Sequence, residues 1–204
     1  MRKKGYKAVY FAAAVALLFL AIVSILVFKW ANNANKVDML YDVEPPEYVQ
    51  EDLLPSIIGS RNGLKLVAVK NIVVHYVGNP DTTAKQNRDY FAQPTTTVNS
   101  HFIIGLDGEV IQCVPLYERS CATNHRNKDT ISIEVCHPDE SGKFNNATRE
   151  SLVKLIVWLC ETCDLEAKDV IRHYDVTGKL CPLYYVENED AWLDLLIEID
   201  SQLK

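Results

Sequence analysis

The chain has 204 residues and a formal net charge of −6; with 48% hydrophobic and 24% charged residues it is not an intrinsically disordered protein. All 27 acidic residues lie beyond residue 30, against 16 of the 21 basic ones, so that part carries −11 and is a poor partner for nucleic acid or for anionic lipid headgroups. Its roughly 170 residues are enough to bury a core without help from disulfides.

Residues Ala8 to Phe28 run 21 positions without a charge. At about 1.5 Å per residue such a helix spans a hydrocarbon core of about 30 Å. A cleaved signal peptide has a shorter apolar region and an Ala-x-Ala-like site, and Ala31-Asn32-Asn33-Ala34 is a poor one. The segment therefore reads as an uncleaved signal anchor. Arg2, Lys3, Lys4 and Lys7 favour a cytoplasmic N-terminus. The expected layout is a stub and transmembrane anchor over 1–30, a linker over 31–55, and one domain over 56–204. That domain would lie outside the cell membrane. The linker reading rests on the polar, acidic composition of 31–55 and on Pro45-Pro46 and Pro55.

Val67 to Val77 is rich in β-branched residues, and its second half predicts a buried strand ending near His75. The turn Gly78-Asn79-Pro80-Asp81 follows, and Asp81 or Thr82 can cap a helix running to about Ala92. Ser100–Ile104 and Glu109–Val114 predict two short strands joined at Leu106-Asp107-Gly108. Thr130–Cys136 predicts another, with Ser132, Glu134 and Cys136 on one face and Ile131, Ile133 and Val135 on the other. Leu152, Leu155, Ile156 and Leu159 mark one amphipathic helix; Trp192, Leu195, Leu196 and Ile199 mark a second. Between them, Val170–His173 reads as a strand leading into a loop that carries Cys181. The mixture predicts an α/β fold, a central mixed sheet flanked by helices.

Six cysteines stand at 113, 121, 136, 160, 163 and 181. An even number outside a membrane suggests disulfides, but the spacings do not resemble a stapled scaffold. Cys160-x-x-Cys163 falls inside a helical pattern and reads as packed thiols.

Zinc binds imidazole nitrogen and thiolate, and a catalytic site uses three protein ligands with a fourth position open. His75 stands at a strand end, and His173 and Cys181 flank a loop that can fold back. Spacing alone is weak, since a lone strand histidine is more often a satisfied core residue. Glu134 read alone is as much a solvated strand carboxylate as a base, and Lys179 an ordinary surface lysine.

The segments IVVHYVGNP, SHFIIGLDGEVIQCVP, NKDTISIEVCHPD and RHYDVTGKLCP, in this order, resemble the zinc-dependent N-acetylmuramoyl-L-alanine amidases. That superfamily includes peptidoglycan recognition proteins and amidase-type phage lysozymes. The likeness is greatest to Gram-positive, clostridium-like members and covers roughly residues 55–200. It implies hydrolysis of peptidoglycan, with Zn2+ held by His75, His173 and Cys181. It also implies that Glu134 activates water and that Lys179 steadies the tetrahedral oxyanion. Phage relatives place a catalytic Tyr where this chain has Ser100, so the base role falls to Glu134, and His101 reads as a packing or orienting residue. His125 and Asn127 fall in a loop that borders the substrate groove in relatives. Tyr174 and Asp175 are expected to orient His173. The alternatives are a peptidoglycan-binding receptor of the same fold without turnover and a structural zinc or disulfide domain; loss of a ligand would favour the receptor, and none is lost.

Overall fold

An apolar helix leads into a mixed sheet in this computed structural model, which describes residues 3–56 and 59–203. Helix α1 spans Lys3–Met39, and it is long and apolar enough to cross a membrane. Its side chains from Val9 to Trp30 are exposed. Arg2 and the side chains of Lys3, Lys4 and Lys7, on which the expected orientation rests, lie outside the described residues.

Six strands follow: β1 (Val49–Glu51), β2 (Asn71–Tyr76), β3 (Phe102–Ile104), β4 (Val110–Gln112), β5 (Thr130–Val135) and β6 (Val170–Arg172). They form one sheet in the order β1-β4-β3-β5-β2-β6. Neighbours are parallel except the β3–β4 hairpin, so the sheet is mixed as expected. Gly108, at φ 83, supplies the left-handed residue that this tight connection needs. β2 and β5 lie in the interior of the sheet; β2 reads as an apolar run, while β5 alternates, with Ser132 and Glu134 on the face opposite Ile131 and Ile133.

Alternation sorts the side chains. Ile72, Val74, Phe102, Ile104, Ile131, Ile133 and Val135 join the main core. Helix α3 (Asn146–Cys163) adds Leu152, Leu155, Ile156 and Leu159 to it, and α6 (Glu189–Gln202) adds Trp192, Leu195 and Ile199. Both stripes are the ones the helical spacing marks. On the opposite face, Ile103, Ile111, Cys113 and Cys136 pack with Ala84 and Phe91 of α2 (Ala84–Phe91). The cap of α2 is Thr83, in a capping box with Gln86, rather than Asp81 or Thr82. Asp81 is instead held in the turn, at φ 58, by its N–H on His137 O.

Part of the segment expected as a linker is docked on the domain. Val37, Leu40, Val49 and Leu54 are buried, and β1 pairs with β4. Asp52 and Leu54 donate backbone hydrogen bonds to Gln112 and Cys113, and the buried Arg61–Glu118 ion pair also reaches Leu54 O. The strand escapes its composition because it is an edge: only Val49 points inward, while Gln50 and Glu51 are exposed. All six cysteines are free thiols; Cys160 and Cys163 are buried in α3.

Candidate metal centre

The loop from His173 to Cys181 folds back for local reasons. His173 opens a short helix, α4 (His173–Thr177), rather than ending a strand. Asp175 starts that helix by accepting the Arg172 backbone N–H at 2.8 Å, and its carboxylate also takes the Arg172 guanidinium at 2.9 Å. Gly178, at φ 77, ends it in the left-handed region. The chain then returns, and Tyr174 N–H donates to Cys181 O at 2.9 Å. Helix α5 (Leu183–Glu187) carries it away again.

β2 brings the third side chain. The ligand atoms of His75, His173 and Cys181 lie within 4.8 Å of one another, and all three residues are buried. The two imidazoles are 4.5 Å apart between centroids. His173 Nε2–H donates to Asn124 Oδ1 at 3.0 Å, which leaves Nδ1 buried and unpartnered. His75 Nε2 lies 3.4 Å from Thr123 Oγ1. Glu134 is directly across from His75 in the β2–β5 register, its Oε1 3.9 Å from His75 Nδ1 and its Oε2 buried without a partner. Buried polar atoms normally have partners, so two orphans at one cluster mark a place built for a ligand. Two imidazoles and a thiol in a tight triangle suit zinc, and these residues could hold it.

The electrostatics follow from burial. Burial drives the His75 imidazole well below its usual range, with His173 and Lys179 adding to the effect. His173 is lowered by burial and then by Lys179. Burial pushes the Glu134 carboxyl up to about 8, against the pull of Lys179, and the Cys181 thiol up to about 12. The centre as it stands thus holds neutral imidazoles, a thiol and a proton-rich carboxyl, with one cation at its edge.

A groove of about 820 Å³ opens over the centre. His75, Glu134, His173 and Lys179 line it, with Tyr90 and Gln86 from α2 further along. The expected site residues His75, His173, Cys181, Glu134 and Lys179 are therefore brought together, Lys179 as an exposed residue at the rim. Ser100 is fully buried and donates to Phe102 O, so it cannot take the place of a phenol in the groove. His101 is a packing residue: its Nδ1 accepts the Ser132 N–H at 3.0 Å and its Nε2–H donates to Glu118 O at 2.9 Å. Tyr174 and Asp175 engage Arg172 and not the His173 ring. The orienting partner is Asn124, which the sequence reading missed. It sits at φ 54, a left-handed conformation that Asn tolerates, and neighbours the two residues expected at the groove. Of those, Asn127 lines the groove and His125 is exposed.

The sequence profile of N-acetylmuramoyl-L-alanine amidases matches residues 65–183, a span that contains every element of this centre. The chain belongs to the N-acetylmuramoyl-L-alanine amidase family. Among curated relatives, the amidase CwlL of Bacillus licheniformis is 28% identical over 161 residues, covering 71% of this chain and 44% of its own length. The amidase BlyA of Bacillus subtilis is 30% identical over 165 residues, with 71% and 44% covered. The chain thus spans less than half the length of the curated family members it matches. Among solved structures, a mutant endolysin from Bacillus subtilis superposes with a TM-score of 0.66 at 25% identity, covering 74% of this chain and 97% of that one. The catalytic domain of XlyA gives a TM-score of 0.65, also at 25% identity, with 74% and 98% covered.

Proposed function

We propose that this chain is a zinc amidase, anchored in the cell membrane by α1, that hydrolyses the amide between N-acetylmuramic acid and L-alanine in peptidoglycan. The observation that carries the reading is the convergence of His75, His173 and Cys181 ligand atoms within 4.8 Å, beside Glu134. Family membership supports the reaction class, and the exposed apolar length of α1 supports the anchor. In this reading 1–30 is the cytoplasmic stub and span, and 56–204 is the catalytic domain outside the membrane, to which 31–55 adds an edge strand.

His75, His173 and Cys181 would hold zinc, which would supply Lewis acidity toward the scissile carbonyl. Glu134 takes a proton from the attacking water as the new C–O bond forms. It returns that proton to the L-alanine nitrogen as the C–N bond breaks. Its place across from His75, with one carboxylate oxygen unpartnered, leaves it free to do both. Lys179 at the rim places positive charge where the carbonyl oxygen becomes an oxyanion. Asn124 Oδ1 accepts from His173 Nε2–H and so holds that ring in the tautomer that leaves Nδ1 a lone pair for the metal, while Thr123 Oγ1 lies 3.4 Å from His75 Nε2.

Purified full-length protein incubated with cell wall and zinc is expected to free new L-alanine amines. Cys181→Ala is expected to lose most bound zinc and all but a trace of that release. Unchanged zinc content in the variant would overturn the ligand assignment. Binding of wall without release by the zinc-loaded wild type would decide for a receptor instead.

A further inference from the structure

His75 and His173 come from elements far apart in the chain, yet both rings meet one short strip, Thr123 and Asn124. His173 Nε2–H donates to Asn124 Oδ1 at 3.0 Å, and His75 Nε2 lies 3.4 Å from Thr123 Oγ1. Neither a strand nor a long helix fixes that strip. It leads into one turn of 3-10 helix, Asn124–Arg126, entered through Asn124 at φ 54. Three consecutive backbone N–H groups, those of Cys121, Ala122 and Thr123, come just before the turn, and each needs an acceptor.

Two carboxamides supply it. Asn99 Oδ1 accepts the Cys121 N–H at 2.7 Å. Asn127 Oδ1 accepts the Thr123 N–H at 2.6 Å and the Ala122 N–H at 3.2 Å. Asn127 also closes the turn with its own N–H, donated to Asn124 O at 3.2 Å. Both ends of the strip are then tied down. At one end Asn99 is buried, its amide donates to Ser60 Oγ at 2.9 Å, and Cys121 Sγ lies 3.1 Å from Ser60 O. At the other, the Arg126 guanidinium bonds to Asn71 Oδ1 and to Asp129 Oδ1, each at 2.7 Å, and Arg126 O accepts the Thr130 hydroxyl at 2.9 Å. Asn71 and Thr130 are the first residues of β2 and β5, the strands that carry His75 and Glu134. The strip is therefore held in the frame of the same sheet as the side chains it meets.

The geometry points to Asn127 as a positioning residue for the metal centre: through two backbone N–H groups it sets where Thr123 and Asn124 meet the two imidazoles, so that zinc affinity depends on a side chain bonded to neither ring. Asn124 orients His173 only while its oxygen stands where Nε2–H points, and such a site tolerates a displacement of about 0.5 Å. Removing the Asn127 oxygen strands the N–H of Thr123, a residue with no exposed surface. The strip must then turn to pair that group, and Asn124 leaves His173 with it. Partners that orient metal-binding imidazoles carry about 10–100-fold in metal affinity. This inference rests on the zinc reading above. Asn127 also lines the groove, so a loss of turnover alone would not separate positioning from substrate contact.

The test therefore reads zinc affinity without substrate, on full-length protein in detergent micelles, by competition with a chromophoric chelator. Asn127→Ala should weaken zinc about tenfold, the low end of that range for a group acting at one remove. Asn127→Asp keeps the accepting oxygen and should retain wild-type affinity or better. Asn127→Gln moves the same oxygen by one methylene; it should fall between the two, and it carries the test if the alanine variant does not fold. In zinc-free protein labelled with 15N-histidine, His173 should be the Nε2–H tautomer in wild type and in Asn127→Asp, and a mixture of tautomers in Asn127→Ala. A loss of folding stability with zinc affinity and tautomer unchanged would make Asn127 an ordinary loop residue and overturn the proposal. An aspartate variant as weak as the alanine one, or a glutamine variant equal to wild type, would overturn it too. If wild type binds no zinc, the zinc reading fails, and the tautomer alone decides the role of Asn127. If zinc binds as described and no amine is freed from cell wall, the amidase reading fails and the positioning role stands.

Discussion

Ile72, Val74, Ile131 and Ile133 are fully buried on one face of the sheet, and one step along the same strands, on the other face, His75 and Ser132 are just as hidden. The first face asks only for volume and shape, which α3 and α6 supply. The second must satisfy every polar atom it hides. Ser132 Oγ meets Ser120 Oγ at 2.7 Å, and His101 uses both ring nitrogens on backbone groups. Among the described residues four buried side-chain atoms lack a partner, and two of them, Glu134 Oε2 and His173 Nδ1, belong to the centre. A sheet can thus be equally dry on both faces and still be stable on one and reactive on the other. The difference is whether the buried groups have exhausted their bonding.

Substitutions on the two faces should therefore fail in different ways. The largest expected effect is at Glu134→Gln, which keeps the volume and removes the base. Turnover should fall by about 10²–10⁴-fold with zinc content and fold intact; activity within a few-fold of wild type would remove Glu134 from the mechanism. Next comes Ile133→Ala on the apolar face. It should cost about 3 kcal/mol in urea unfolding, with zinc bound and turnover per folded molecule little changed. A loss of turnover without a loss of stability would mean that the two faces are not separable.

At neutral pH the smallest effect is at His101, whose contribution shows only as a pH dependence confined to the polar face. Burial lowers His101 from 6.5 to about 4, and its Nδ1 accepts from a backbone N–H, so it must be neutral when folded. The unfolded chain then binds the extra proton first as pH falls. Stability from this residue is whole above about pH 6.5 and lost progressively toward about pH 4, up to about 3 kcal/mol in all. Unfolding followed between pH 7 and 4 should show a shallower acid limb for His101→Asn than for wild type. Identical slopes would mean that His101 does not carry the linkage.

Much of this division was legible beforehand in β5. Alternation along TISIEV placed Glu134 opposite Ile131 and Ile133, because the period of a strand is local and needs no knowledge of the neighbours. His125 and Tyr174 were harder. Both have the right chemistry at the right place in sequence, yet His125 is exposed and Tyr174 lies against Arg172. Asn124 took the orienting role because a left-handed turn aims its amide at His173.

Local pattern sufficed for the strong elements: the apolar helix, the β-branched strands, the two amphipathic helices, and the ordered motifs carrying His75, Glu134, His173, Lys179 and Cys181. Side-chain periodicity and turn chemistry act over a few residues, and a single chain displays them. The strand order, the convergence of the three candidate ligands, and the docking of residues 37–54 onto the domain emerge from the folded chain alone. Those depend on contacts between distant segments. An edge strand with one inward residue, or a turn that exposes one amide to one imidazole, leaves no periodic trace from which it could be read.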